Sequence, residues 1–348
     1  MNTKKQDKHI RLVRIDMMIG VAMLMVVMGH FSVGFEPQWY HSLHNWIYSF
    51  HMQMFLFLSA FLIRYTHKGT SGLKEYGLYI WRKFKKFFLW FLVIGLAVAV
   101  IACHIKGREL SWSYIGQSAK TLLLYPRWSE ASFLWYIYIL FGYYLISPLF
   151  FRLPQWGRVL CCIGAMFLAM LDGTAFLATS DFCSLTFFYC LGVLCAEWID
   201  EIRGVKVWMW GLLAVPFVAF SAWLFSQGEA IGFEFPQLGW WSLVTGTAAL
   251  PCFYLLAMAF EKMPPVKATL SSISRNCYWI YLLQMFIIWG CARLVHSSVQ
   301  AGTITFIPFF IVTTALAIAL PIALSELAHR LLCRKSKGPA DNKKSRKA

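Results

Sequence analysis

Apolar residues along this chain gather in blocks of about 18 to 22, each bounded by a short polar or basic segment. A helix of that length spans about 30 Å of hydrocarbon, so each block predicts one membrane crossing. The pattern predicts helices at roughly 15–35, 47–66, 87–105, 131–151, 159–177, 183–200, 207–225, 239–260, 276–296 and 304–328. Two longer polar intervals interrupt it. Residues 64–86, RYTHKGTSGLKEYGLYIWRKFKK, read as a loop that ends in a basic, aromatic stretch, and residues 106–130 read as a connection on the opposite side holding a short interfacial helix. The fold class is therefore an all-α polytopic membrane protein of about ten transmembrane helices. Its single membrane domain covers 14–330, between a basic segment at 1–13 and a basic tail at 331–348 that is short of apolar residues and expected to be disordered.

Composition agrees with that pattern. Hydrophobic residues make up 59% of the chain and charged residues 14%, against about 25% charged in a soluble domain. The net charge of +16 would suit a nucleic-acid binder if it were clustered on one surface. Its distribution says otherwise. With the first residue inside, only Lys106, Arg108, Lys120, Arg127 and Arg293 among the 32 Lys and Arg fall on or near the outer side. This is the positive-inside bias, with both termini cytoplasmic, and the general partners it implies are anionic membrane lipids, not nucleic acid. The first apolar block is long enough to span and lacks a small-residue cleavage site, so it reads as the first helix and not as a removable leader. The ten cysteines lie mostly inside apolar blocks without a CxxC pair, as packing residues would.

Against this background the intramembrane ionisable residues stand out, because each costs free energy in hydrocarbon. Asp16 and His30 are fourteen positions apart, on nearly one helix face but about 21 Å apart along the axis, so they form no dyad. His30 is placed near the outer end of the first helix, and His51 about one turn in from the outer end of the second. Two antiparallel neighbours would carry these histidines at similar depth, with His41 and His44 in the loop between them. Such a histidine is often only a hydrogen-bonded packing residue. A metal site finds little support, since no carboxylates accompany the four histidines. Imidazole near neutral pH is suited to general-base work, and low dielectric favours the neutral, proton-accepting form. Arg127, Trp128 and Glu130 precede the fourth predicted helix, where they would touch a glycan or anchor in headgroups.

Several stretches in order resemble the acyltransferase type 3 family of bacterial membrane O-acyltransferases, in particular its fucose 4-O-acetylase branch. RLVRIDMMIGVAMLMVVMGH matches the opening motif at Asp16, Gly20 and His30, and WIYSFHMQMFLFLSAF supplies His51 and Ser59. Arg82 and Lys85 meet a basic pair before the third helix. FLWYIYILFGYYLISPL carries Trp135 and Tyr136, and WIYLLQ carries Tyr281 and Gln284. The resemblance covers roughly residues 10–330. Three positions depart from it: Ile19 stands where a basic residue is expected, Gln53 where a proline is, and Gln284 where a histidine is.

The resemblance implies transfer of an acyl group, commonly acetyl, from acyl-CoA as co-substrate to a sugar hydroxyl of a cell-envelope polysaccharide or lipid-linked glycan, in the bacterial inner membrane. No permanently bound cofactor and no metal is implied. Asp16, His30 and His51 would form the catalytic set, with His30 as general base. Arg14, Arg82, Lys85 and Lys86, with Lys83 between them, would hold the phosphates of the donor. Ser59, Trp135, Tyr136, Tyr281 and Gln284 would line the acyl or acceptor pocket, with Ser59 and Gln284 as donors to the oxyanion. A transporter or flippase for a lipid-linked sugar, or a non-catalytic scaffold of envelope assembly, are the alternatives, the scaffold favoured by Ile19.

Overall fold

The computed structural model describes residues 2–31, 33–67, 69, 72–171, 173–227, 240–295 and 305–336. These residues form α1 (Asn2–Gly29), α2 (Gln38–Tyr48), α3 (His51–Thr66), α4 (Leu73–Lys83), α5 (Leu89–Ile105), α6 (Trp112–Leu124) and α7 (Trp135–Phe150). There follow α8 (Gln155–Leu168), α9 (Thr179–Glu197), α10 (Ile199–Arg203), α11 (Val207–Gln227), α12 (Trp240–Phe260), α13 (Pro264–Val295) and α14 (Phe306–Ser336). No strand occurs among the described residues. Eight helical stretches there are long and apolar enough to cross a membrane, and α8 is a shorter apolar helix. Large apolar side chains such as Leu212, Val215, Val218, Ile311 and Val312 stay more than half exposed, the surface that hydrocarbon requires. The chain is an all-α polytopic membrane protein.

Several predicted boundaries move, each for a local reason. The stretch expected as a loop up to residue 86 is helical from Leu73, and a π-helical turn at Phe84–Phe88 joins α4 to α5. Its alternating basic and aromatic residues concealed an amphipathic helix. α13 begins at Pro264, well before the expected 276, because its polar first turns do not belong to the apolar block. α1 stops at Gly29, and His30 lies in a turn just past it instead of inside a helix reaching 35. His51 is the first residue of α3, not a residue one turn in. The expected tail starts as helix, since α14 runs to Ser336, and residues 337–348 lie outside the described set. The expected short helix at 106–130 is present as α6, capped by the Ser111 hydroxyl, which accepts from the Tyr114 N–H.

The chain divides into two compact units, residues 1–41 with 259–348, and residues 42–258. In the first, α1 lies on α13. The Arg14 Nε donates to Glu261 Oε2 at 2.7 Å, and Gly20 lies so close to the Leu270 backbone that a Cβ would overlap its carbonyl. Small residues at such crossings let helix backbones meet inside a membrane. Beyond the end of α1, Phe31, Phe35, Tyr40, Phe306, Phe309 and Phe310 form an edge-to-face aromatic cluster.

In the second unit α3 packs along α9. Gly192 abuts the Phe57 carbonyl and Ala60, where any Cβ would clash. α12 joins through Gly246, which lies against Gln53 and Phe188, and through the Thr245 hydroxyl, which donates to Ser49 O at 2.8 Å. α7 is stitched to α9 by Tyr143 with Thr186 (3.1 Å) and Ser147 with Tyr189 (2.8 Å). The Tyr76 hydroxyl of α4 donates to Leu145 O of α7 at 2.8 Å.

Candidate active site

Both predicted histidines sit where a helix breaks, and the break explains each position. A helix end leaves carbonyls without intrahelical donors. At the end of α1 the Tyr40 hydroxyl donates to Met28 O (2.8 Å) and accepts from the Phe31 N–H (3.1 Å). Those two bonds flank His30 on either side, so the fully buried Tyr40 fixes the backbone that presents the imidazole.

His51 uses its own ring for the same purpose. Its Nδ1 lies 2.8 Å from Ile47 O, a carbonyl at the end of α2. A carbonyl can only accept, so Nδ1 carries the proton and, in the neutral ring, Nε2 keeps the lone pair. The ring is 2% exposed. Tyr48 lies against it, ring centroids 4.7 Å apart, and His44 stacks on Tyr48 at 3.9 Å. His30 belongs to the first unit and His51 to the second.

The second unit brings two predicted pocket residues together: Ser59 Oγ and the Tyr136 hydroxyl are 2.9 Å apart. Trp135 lies under the Arg127 guanidinium, 3.8 Å from carbon to ring centroid. Arg127 in turn donates through Nε to both carboxylate oxygens of Asp181, at 2.8 Å each, and Asp181 is 2% exposed. Trp128 is exposed, and Glu130 is engaged by Lys106 at 2.8 Å. Sequence reasoning missed Asp181, although a lone acid just before the apolar block at 183–200 was its signal. It also missed Gln53, whose buried Oε1 accepts no hydrogen bond among the described residues.

In the first unit Asp16 lies two residues beyond Arg14, which is ion-paired with Glu261. Tyr281 and Gln284 are buried on α13, Gln284 completely. Neither its Nε2 nor its Oε1 has a hydrogen-bond partner among the described residues. A buried amide left unsatisfied calls for an explanation, and a substrate is one.

The predicted donor residues Arg82, Lys85 and Lys86 are exposed. Lys85 reaches the Trp81 ring at 5.5 Å and Lys86 the Phe87 ring at 5.1 Å. Their neighbour Lys83, which the sequence also offers for the donor phosphates, turns inward where the π-helical turn begins. Its Nζ lies 4.1 Å from the Tyr144 centroid and 5.5 Å from that of Tyr79. Nearby, Arg64 Nε donates to Glu197 at 2.6 Å, and Arg158 holds the other oxygen of that carboxylate. His67, just past the span of α3, has its pKa lowered first by burial and then by the charges of Arg64 and Lys83. No three His, Cys, Asp or Glu gather to hold a metal among the described residues.

A family model described as an acyltransferase domain matches residues 12–326. The nodulation protein NolL of Sinorhizobium fredii (strain NBRC 101917 / NGR234) is 23% identical over 224 residues, which are 61% of this chain and 58% of the relative. The chain thus spans less than two thirds of the length of that relative. No solved structure matches it.

Proposed function

Because the chain belongs to the acyltransferase domain family, which matches residues 12–326, we propose a specific reaction for this multi-pass membrane acyltransferase. It moves an acyl group, commonly acetyl, from acyl-CoA to a sugar hydroxyl of a cell-envelope polysaccharide or lipid-linked glycan, in the bacterial inner membrane. The family match across nearly the whole chain carries this reading, and it favours an enzyme over a flippase or a scaffold.

The chemistry needs a base, an oxyanion donor and an acceptor seat. An imidazole takes the proton of the acceptor hydroxyl as its oxygen attacks the thioester carbonyl. The carbon–sulfur bond then breaks, and the imidazolium returns the proton to the thiolate of CoA. His30 is the first candidate base, held at the end of α1 by Tyr40. One observation favours His51 instead: donation from Nδ1 to Ile47 O makes Nε2 the acceptor nitrogen of the neutral ring. In the first unit, with His30, the Gln284 amide is buried without a partner among the described residues and suits the oxyanion. Arg127, neutralised by Asp181 and lying on Trp135, offers spare N–H donors beside an aromatic face, which suits an uncharged sugar.

The test is transfer of radiolabelled acetyl from acetyl-CoA to envelope glycans, in membranes carrying the parent, His30→Ala or His51→Ala at equal protein level. Loss of the base lowers the rate by about 10²–10⁴-fold. The variant that loses label identifies the base. Label retained in both variants would remove imidazole catalysis from the reading.

A further inference from the structure

At the Glu197 end of the second unit, among the described residues, two guanidiniums share one carboxylate and a series of aromatic rings runs from them to an ammonium. Glu197, with 11% side-chain exposure, is shared by two guanidiniums, Arg64 and Arg158. Arg158 spends its remaining donors on Phe151 O and Leu153 O. Arg64 is less enclosed at 31%, and its guanidinium carbon lies 5.1 Å from the Phe151 centroid. The same Phe151 ring meets the His67 ring edge-on at 4.9 Å, and His67 meets Tyr79 at 5.9 Å. Tyr79 and Tyr144 then flank the Lys83 ammonium. Arg64, His67 and Lys83 therefore line one continuous aromatic-floored surface. Lys83 has no carboxylate within ion-pair distance among the described residues, and aromatic faces are its principal contacts. Rings solvate a cation less well than a counter-ion does. The Lys83 ammonium and the Arg64 guanidinium, whose carboxylate is shared, both act on His67 between them, an arrangement of cations that suits an anion.

We propose that Arg64, His67 and Lys83 form a binding site for a phosphate group. Resting on the acyl-CoA reading above, the phosphates are those of the donor; the same chemistry would also take the headgroup of an anionic phospholipid. Arg64 supplies a planar fork and Lys83 a point charge, the usual division of labour around phosphate. The exposed Arg82, Lys85 and Lys86 then act as an outlying positive field, and Lys83 is the residue of that run that touches the ligand.

The experiment uses the full chain in nanodiscs of phosphatidylcholine, with binding of tritiated CoA measured for the parent, Lys83→Gln, Lys83→Arg and Lys206→Gln. Lys206 is an exposed lysine with no ion pair among the described residues and controls for overall charge. A second arm measures retention of phosphatidylglycerol by the same four proteins after purification from mixed lipid. The expected result is CoA binding weakened about tenfold or more by Lys83→Gln, restored by Lys83→Arg and unchanged by Lys206→Gln. Loss confined to phosphatidylglycerol retention would keep the phosphate site and make its ligand the lipid headgroup. CoA binding that is tight but indifferent to Lys83, with indifferent lipid retention, would overturn the site. If the parent binds no CoA, the donor reading fails on its own, and the lipid arm alone decides the site.

Discussion

One helix, α9, carries a carboxylate near each end, and the two are treated differently. Asp181 stands in its first turn and is matched by the single guanidinium of Arg127. Glu197 is its last residue and draws two, Arg64 and Arg158. The helix macrodipole accounts for the difference. Partial positive charge at the N-terminus already favours an acid there, whereas the C-terminal carbonyls repel one. A partly buried carboxylate at the C-terminal end is retained only with extra cation around it. The Asp181 end is therefore electrically closed and suited to a neutral partner. The Glu197 end, with Lys83 added, is left positive and suited to an anion.

The largest expected effect follows from removing the acid at the crowded end. Glu197→Gln leaves two guanidiniums facing each other, one of them only 10% exposed. Breaking such a pair costs about 3–5 kcal/mol, which thermal unfolding of the purified protein reads as a marked loss of stability. Asp181→Asn should cost less, about 1–3 kcal/mol, because the cation it abandons is 40% exposed and can turn to water. Equal losses in the two variants would mean that the ends do not differ in the way their charges suggest.

The sequence made the spans legible because hydrocarbon thickness imposes a length on every apolar block. It made the ends of those blocks less legible. α4 was read as loop because Lys74, Tyr76, Arg82 and Lys83 interrupt the apolar pattern, and an amphipathic helix does not announce itself by block length. The histidines were found from the cost of an ionisable group in an apolar run, and the pairing of Ser59 with Tyr136 gives two predicted pocket residues a shared position. What could not be read were partners distant in the chain. Arg127 lies 54 positions from Asp181, and Arg64 lies 133 from Glu197. No local pattern encodes such a meeting. Lys83 was indistinguishable from Arg82, Lys85 and Lys86 in the sequence, and only the path of the helix through its π-helical turn separates the one that faces inward.

The smallest effect is the most specific to the positive end. Burial first, then Arg64 and Lys83, hold the His67 pKa below the ordinary imidazole value of about 6.5. Tyr79 and Phe151 are its ring neighbours and bring no negative charge near neutral pH. A bound phosphate supplies that charge and raises the pKa of His67. Binding then takes up protons, and by linkage affinity for CoA rises as pH falls through the bound-state pKa, levelling off below the free-state one. Protonation of a phosphate monoester, with a pKa near 6, acts in the opposite direction, so the parent is compared with His67→Gln at each pH. Between about pH 8 and pH 5.5 the ratio of parent to variant affinity should climb by several-fold and less than about tenfold. A flat ratio would put His67 outside the phosphate site and confine the anion to Arg64 and Lys83.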